Sequence, residues 1–465
     1  MWHTNGQNRN YMKVSKQIII ASALLAASFF TCRGENRMSL KECMEYAISN
    51  STKIRIQQAD NDDARIARRD AILSAFTPTI EGGISAYSNF GRSVDPETNT
   101  YISTTSFNNG YSLSAGINLF NGFQAVNNMK ISKTAVMMGV EREKQLQDEI
   151  CLATMEAYYN VAYYSELERI IQSQVETAQS ALRRAEKEEE LGRKGHADVV
   201  QVAADLADRE YQLISTQNKL ADAYITLKDI MFFPIDAELR IELDQVEKWE
   251  NLVSAVFGEN SATIVEQAQS TLPSAIIARG AMDNARVELS TAKWKLAPRL
   301  SLYGGWSTSY YSYPGTAGYV PDSFSMQFRN NGGEYVQLSL SIPIFDRLSR
   351  HSNIVRKKNA YARASAQYDQ TMQQIEAEVL RAVADRNGAS AAYLQSQKRA
   401  AVQKEAFALN QKKYEQGIIS PIEYQTSSNN LLNAQAEKLN ALLSYLIKRS
   451  VVEYYQGVSY IHQQF

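Results

Sequence analysis

Four histidines, three cysteines and 50 aspartates and glutamates are the residues with which this 465-residue chain could do chemistry. Their spacing does not arrange them for it. His3, His196, His351 and His462 are scattered, with no H-E-x-x-H pair and no ligand cluster. There is no nucleophile elbow and no P-loop, and GRKGH at 192–196 reads as a turn rather than a phosphate cradle. Cys32, Cys43 and Cys151 are odd in number and far apart, which gives neither a disulfide framework nor a metal knuckle. Buried thiols are expected at Cys43 and Cys151. Acidic neighbours such as Asp62–Asp63 and Glu188–Glu190 read as solvated helix faces. A formal net charge of −1 and a pI of about 6.5 leave no basic footprint for nucleic acid. The chain is expected not to be an enzyme and to need no cofactor.

The elements say more than the reactive residues. Lys13 and Lys16 precede IIIASALLAASFF, residues 18–30, an uncharged run too short to span a bilayer and flanked like a secretory signal. Met12 is the more ordinary start, so residues 1–11 read as an over-extended beginning. Cleavage after Ser28, with Ala26 at −3, fits the signal. The alternative is lipid attachment at Cys32, against which Phe at −3 and Thr at −1 both stand. An exported chain with no other apolar span can be held in a membrane only by strands.

The chain is one unit written twice. YSLSAGINLFNGF, from Tyr111, alternates apolar and polar residues as a two-faced strand does, and returns as VQLSLSIPIFDRL, Val336 to Leu348. FTPTIEGGISAYS pairs with LAPRLSLYGGWSTS, Pro78 over Pro298. LGRKGHADVVQ pairs with QGIISPIEYQ, Gly192 over Gly417 and Asp198 over Glu423. The pattern predicts a signal region 1–31 and a first repeat 39–231, opened by the capping box Ser39–Glu42 and helical to about Phe76. Its strands are expected at about 78–90 and 109–120, with a loop at 90–108 and a long helix at about 122–191. An irregular segment 232–262 separates it from a second repeat 263–457. There the strands are expected at about 298–311 and 334–345, with a loop at about 311–333 and a long helix at about 347–415; a tail follows at 458–465. A helix of about 70 residues is about 100 Å long. Leu206, Leu213, Leu220 and Leu227, then Leu432, Leu439 and Leu446, recur every seven residues as coiled-coil seams.

Four strands of membrane length, each with one apolar face, cannot close a water-filled barrel or sit in lipid as an open sheet. Three copies would supply twelve strands. A helical bundle whose strands form a small sandwich is the soluble alternative.

The signal segment, the duplicated helix–strand–strand–helix unit, proline at the helix–strand joints (Pro78, Pro298, Pro343) and a Tyr-x-x-Gly turn before a capped helix resemble the TolC outer-membrane efflux family, over about residues 39–457. The resemblance implies a mainly α chain with a transmembrane β-barrel contribution. Its four strands would complete a 12-stranded homotrimeric barrel, continued by a periplasmic α-helical coiled-coil barrel. It further implies outer-membrane lipid around the strands, a periplasmic adaptor (membrane fusion) protein and an inner-membrane pump of the RND, ABC or MFS type. The chain would then be a passive duct for efflux of small molecules and drugs. A type I protein-secretion duct is the alternative within transport, separable only by the partner; a soluble periplasmic coiled-coil adaptor or structural protein is the alternative outside it.

Matched position by position, the family's periplasmic aperture falls on Glu423 and Thr426. Three Glu423 carboxylates around one axis would favour cations and could hold one there. Glu423 is equally the N3 partner of Ser420 in a capping box. The links that hold the aperture shut fall on Tyr414 and Asp198, and their basic member falls on Ile419, so the latch should be weaker or built differently. Asp198 reads as readily as a favourable charge at a helix N-terminus. The Gly192 and Gly417 turns are the expected adaptor contacts. By alternation alone, Glu81, Tyr87, Ser112, Asn118, Tyr303 and Gln337 are candidate lumen residues. Trp306, Tyr310, Tyr311 and Tyr313 read as an interfacial girdle or as loop packing. No substrate is legible.

Overall fold

The computed structural model describes residues 37–94, 99–242, 246–251, 253, 260–314 and 319–463. The segment expected as a signal region, 1–31, and Cys32 lie outside them. Ser39 starts α1 (Leu40–Asn50) by a reciprocal capping box, donating its N–H to Glu42 Oε2 at 2.8 Å and accepting the Glu42 N–H at 3.3 Å. The helix does not run unbroken to Phe76. Ser51 takes an extended conformation, ends α1, and caps α2 (Thr52–Phe76) by accepting the Ile54 N–H. The second repeat breaks in the same place by other means. Leu272, forced out of the helical region by Pro273, separates α6 (Ser261–Thr271) from α7 (Pro273–Trp294).

Each of the two hairpins follows such a broken helix. Strands β1 (Thr79–Val94), β2 (Tyr101–Phe120), β3 (Arg299–Ser312) and β4 (Gly333–Ser341) form one antiparallel sheet in the order β1-β2-β3-β4. The first hairpin is longer than the pattern predicts. Residues expected as loop continue the ladder, from Ser88↔Phe107 to Val94↔Tyr101. Their Ser, Thr and Asn composition hid this, because backbone pairing needs no apolar alternation. Conversely, β4 stops at Ser341, and Ile342 to Phe345 lie outside it. Pro343 has no N–H to give a ladder.

The expected loop before β4 contains a short helix, α8 (Phe324–Asn330), capped by Ser323. It stands where β4 would have continued. The Gln327 side chain accepts the Tyr311 N–H and donates to the Tyr311 carbonyl, both at 3.0 Å, in the manner of a strand residue. Phe324 and Phe328 pack on Tyr111, Tyr310 and Trp306. Tyr313 packs against Tyr311 and Tyr319. Trp306 and Tyr310 thus pack on α8, and Tyr311 on Tyr313.

From the sheet the chain enters each long helix through two consecutive left-handed residues, Gly122 and Phe123 before α3 (Gln124–Glu190), Arg347 and Leu348 before α9 (Ser349–Glu415). Each long helix pairs with the one that follows its turn, α4 (His196–Met231) or α10 (Pro421–Tyr455). The heptad seams are where the sequence puts them. Leu227, Leu432, Leu439 and Leu446 are buried, and Leu206, Leu213 and Leu220 pack partly buried beside them. Each fully buried leucine contributes about 2 kcal/mol.

The main core lies where α1, α3, α4 and α10 meet, around Met44, Met155, Tyr158, Tyr159, Leu227 and Leu442. Tyr158 donates to the Glu242 carbonyl, and Tyr159 meets Trp249 of α5 (Val246–Asn251) edge to face at 5.4 Å. Those contacts, with a parallel bridge between Met38 and Ile241, tie the segment between the repeats to the helices. Cys43 and Cys151 are buried free thiols here, each pushed up to about 12 by desolvation.

Candidate functional site: the helical tip and the polar sheet face

At their far ends α3 and α9 turn back by the same device. Gly192 (φ 69°) donates to the Glu189 carbonyl and Arg193 to that of Glu188; Gly417 (φ 72°) donates to Tyr414 and Ile418 to Lys413. Both are Schellman closures, which need a left-handed residue that glycine supplies without strain. The outgoing helices then start differently. Before α10, Ser420 and Glu423 form the reciprocal box, with Glu423 N–H on Ser420 Oγ at 3.2 Å and Ser420 N–H on Glu423 Oε2 at 3.3 Å. Before α4, Gly195 offers no side-chain cap, and Asp198 stands in the first turn as the charge that favours a helix N-terminus.

Glu423 and Thr426 are exposed on one face of α10, while Tyr424 is buried on the other. Tyr414 stacks on Tyr424 with centroids 4.7 Å apart. The expected Tyr414–Asp198 hydrogen bond is not made among the described residues. Tyr414 Oη instead accepts from Lys194 Nζ at 3.4 Å, and the same ammonium lies 4.6 Å over its ring and 3.0 Å from Glu188 Oε2. Arg184 closes the group, 3.2 Å from Glu188 Oε1 and donating to the Glu415 carbonyl. Hydrogen bonding to Lys194, then the charges of Lys194 and Arg184, hold the Glu188 carboxyl below its ordinary range. Partial burial works against the Lys194 charge, but Glu188 and Tyr414 outweigh it and hold the ammonium above its usual value. Burial pushes Tyr424 up to about 12.

Sequence reasoning missed Lys194, although a signal was present. In the Gly192 over Gly417 match, Lys194 is the counterpart of Ile419. The cation sought in the second turn stands at the equivalent place in the first.

The sheet sorts its side chains as alternation predicts. Paired residues share a face, and the register puts Glu81 opposite Ser114, Tyr87 opposite Asn108, Ser112 opposite Gly83, Asn118 opposite Ser301 and Tyr303 opposite Gln337. All six candidate lumen residues thereby fall on one polar face, and Asn118 accepts from Ser301 Oγ at 2.8 Å. The other face carries Ile80, Ile84, Phe90, Leu113, Val336, Leu338 and Leu340, exposed in the single chain, with Ile84 at 77% and Val336 at 84%. A slip between Asn118 and Phe120 brings Phe120, not Leu119, opposite Leu300. Among the described residues no helix is long and apolar enough to cross a membrane. Nor is there a group of three or more His, Cys, Asp or Glu side chains able to hold a metal ion.

The sequence model of the outer membrane efflux protein family matches residues 44–231 and 264–453, one segment in each repeat. Among solved structures, the chain is similar to CusC, described in connection with folding and transmembrane channel formation, at 18% identity and a TM-score of 0.74, over 90% of this chain and 91% of that one. It is similar to the open state of the Neisseria gonorrhoeae MtrE outer membrane channel at 16% identity and 0.73, over 90% and 89%. The Campylobacter jejuni CmeC outer membrane channel follows at 17% and 0.72, over 91% and 86%. These likenesses establish the fold. A comparison with curated proteins gave no match.

Proposed function

The chain belongs to the outer membrane efflux protein family, and from that premise we propose that it is the passive outer-membrane duct of a tripartite export system for small molecules. The observation that carries the reading is the open sheet: an outer face on which Ile80, Ile84, Leu113, Val336, Leu338 and Leu340 stand exposed, a polar inner face, and two unpaired edges at β1 and β4. Such a sheet is stable in lipid only when its edges are paired, and three copies give a closed barrel of twelve strands. Glu81, Tyr87, Ser112, Asn118, Tyr303 and Gln337 would then line water, and the paired long helices would continue the wall into the periplasm.

At the tip, the exposed face of α10 would turn Glu423 and Thr426 toward the axis. Three carboxylates there repel one another, favour cations and can hold one between chains. The capping box engages one oxygen of the Glu423 carboxylate, Oε2. Lys194, clasping Glu188 and Tyr414, would tie the two turns of a protomer in place of a cation at Ile419. The Gly192 and Gly417 turns would meet a periplasmic adaptor, itself joined to an inner-membrane pump of the RND, ABC or MFS type.

Purification from outer membranes in detergent tests the reading. A trimer that conducts in planar bilayers is expected; a monomer that needs no detergent and shows no conductance overturns it. Glu423→Ala should lower cation preference and relieve block by divalent ions. If conductance, preference and block all stay as they were, Glu423 does not line the aperture.

A further inference from the structure

Residues 324–330 carry two patterns at once. In the protomer they form α8, and Phe324 and Phe328 turn toward Tyr111, Tyr310 and Trp306. Along the chain, Phe324, Met326 and Phe328 alternate with Ser325, Gln327 and Arg329, the order of a two-faced strand. The alternation is in phase with β4. Even positions continue to Val336, Leu338 and Leu340 on the outer face, and odd ones to Tyr335, Gln337 and Ser339 on the polar face.

The contacts of α8 already follow the ladder. The β3–β4 register, continued beyond Ser307↔Gly333, sets Ser309 opposite Asn331 and Tyr311 opposite Arg329. Asn331 Nδ2 donates to the Ser309 carbonyl at 2.7 Å, and the Gln327 side chain serves both backbone groups of Tyr311. Side chains thus stand in for the backbone groups that a longer β4 would supply. In a single protomer this arrangement is favoured, because a longer β4 would be an open edge while a helix pairs its own backbone. At seven residues, α8 has little stability of its own.

A ring of copies reverses the balance. There β4 of one copy meets β1 of the next, yet β1 has 16 residues and β4 nine. Gly333, the top of β4, stands level with Ser307, Ser112 and Gly83, far below Val94 at the top of β1. The upper part of β1, with Phe90 and Val94 exposed on its outer face, is therefore an edge too long for β4 as it stands. Resting on the barrel reading above, we propose that residues 324–331 are a second half of β4, helical in the protomer and drawn out as strand when the β1 edge of a second copy lies beside them. Phe324, Met326 and Phe328 would keep to the outer face, where two of them already pack, and Ser325, Gln327 and Arg329 would line the mouth of the pore. The first hairpin needs no such device, since its own strands pair up to Val94↔Tyr101.

The test uses the full-length protein in its membrane, with one cysteine placed in β1 and one between 324 and 340. Oxidation by copper phenanthroline is read as cross-linked oligomers on non-reducing gels, and the parent, with its own three cysteines, gives the background. Ile80→Cys, low on β1, is combined in turn with Glu334→Cys, Val336→Cys, Leu338→Cys and Leu340→Cys; whichever captures it fixes the register of the seam. In one continuous ladder the partner of Phe90→Cys lies ten residues before that one, at Phe324, Met326, Phe328 or Asn330 respectively. This upper cross-link is expected at a yield within about twofold of the lower one. Seven residues rise about 23 Å as strand but about 10 Å as helix, so α8 left in place cannot keep the offset. A lower cross-link without the upper one, or Phe90→Cys captured equally at 324 and 328, the spacing of a helix face, overturns the inference and leaves the duct reading standing. No lower cross-link at any of the four positions removes the β1–β4 seam itself, and the inference falls together with that reading.

Discussion

The two repeats share a skeleton and differ in nearly everything attached to it. Both break their first helix at the same point, both enter the long helix through two left-handed residues, and both close it with a left-handed glycine. Yet the first carries a hairpin with strands of 16 and 20 residues and the second one of 14 and 9, completed by α8 and Gln327. The cation of the tip is Lys194 in one and has no counterpart in the other, where Ile419 stands. The difference teaches that backbone geometry constrains duplicated chains through a few caps and glycines. Charges and loop chemistry remain free to move from one copy to the other, provided that they meet in the folded protomer.

The largest expected effect lies where α2 crosses α3. Gly139 faces Asn61, and a Cβ at Gly139 would sit 2.3 Å from Asn61 Oδ1. Asn61 cannot step aside, since it is 3% exposed and held by Gln57 at 2.9 Å and Glu143 at 2.8 Å. Counted from the matched strands, the same positions in the second repeat are Ala364 and Ala281. Gly139→Ala should therefore cost about 1–3 kcal/mol in denaturant unfolding. Gly139→Ala with Asn61→Ala, which copies the second repeat, should recover most of that loss. If the double variant is no better than the single one, the two repeats do not solve this crossing in the same way.

A smaller effect concerns Asp148, half-buried on α3, whose counterpart in α9 is the uncharged Gln373. Burial pushes its carboxyl up to about 6, against the opposing hydrogen bond from Tyr454 and the charge of Lys144. Between the ordinary carboxylate value and pH 6 the folded chain thus binds more protons than the unfolded one. Its stability should fall as pH rises through that window and level off above it. Discounted for partial exposure, the fall is about 1 kcal/mol. Asp148→Asn should show a flatter stability profile than the parent between pH 4 and 6; two parallel profiles would refute the assignment.

The smallest effect tests the displaced cation itself. Lys194→Met should lower stability by about 0.5–1 kcal/mol, the size of a part-exposed ion pair with a cation–π contact, and raise the open fraction in bilayer recordings. Adding Ile419→Lys to that variant should restore part of the closure. A pair of recordings indistinguishable from the parent would separate Lys194 from any latch.

Much of this was legible in the residues. The duplication, the four strands, the two faces of the sheet, the heptad seams, the glycine turns and the Ser420–Glu423 box all follow from periodicities and capping rules that act over a few residues. Misreadings occurred where local pattern carries no information. In the upper part of the first hairpin Phe90 and Phe107 share their face with Ser88, Arg92 and Thr105, so no sustained apolar alternation separates ladder from loop. The α8 helix is too short to show a helical period.

What the sequence determined by itself is therefore the repeat, its elements and the faces they present, because side-chain period and cap chemistry are local. Only the tertiary structure decided which charges meet. Lys194 and Tyr414 lie in different repeats, as do Gln327 and the β2 residue Tyr111 that its helix covers, and no spacing rule links them. Arg209 reads as one more helical charge until four helices close around it. Burial, which belongs to the whole fold and not to any segment, encloses it with Asp205 of its own helix and Gln174 of the facing one.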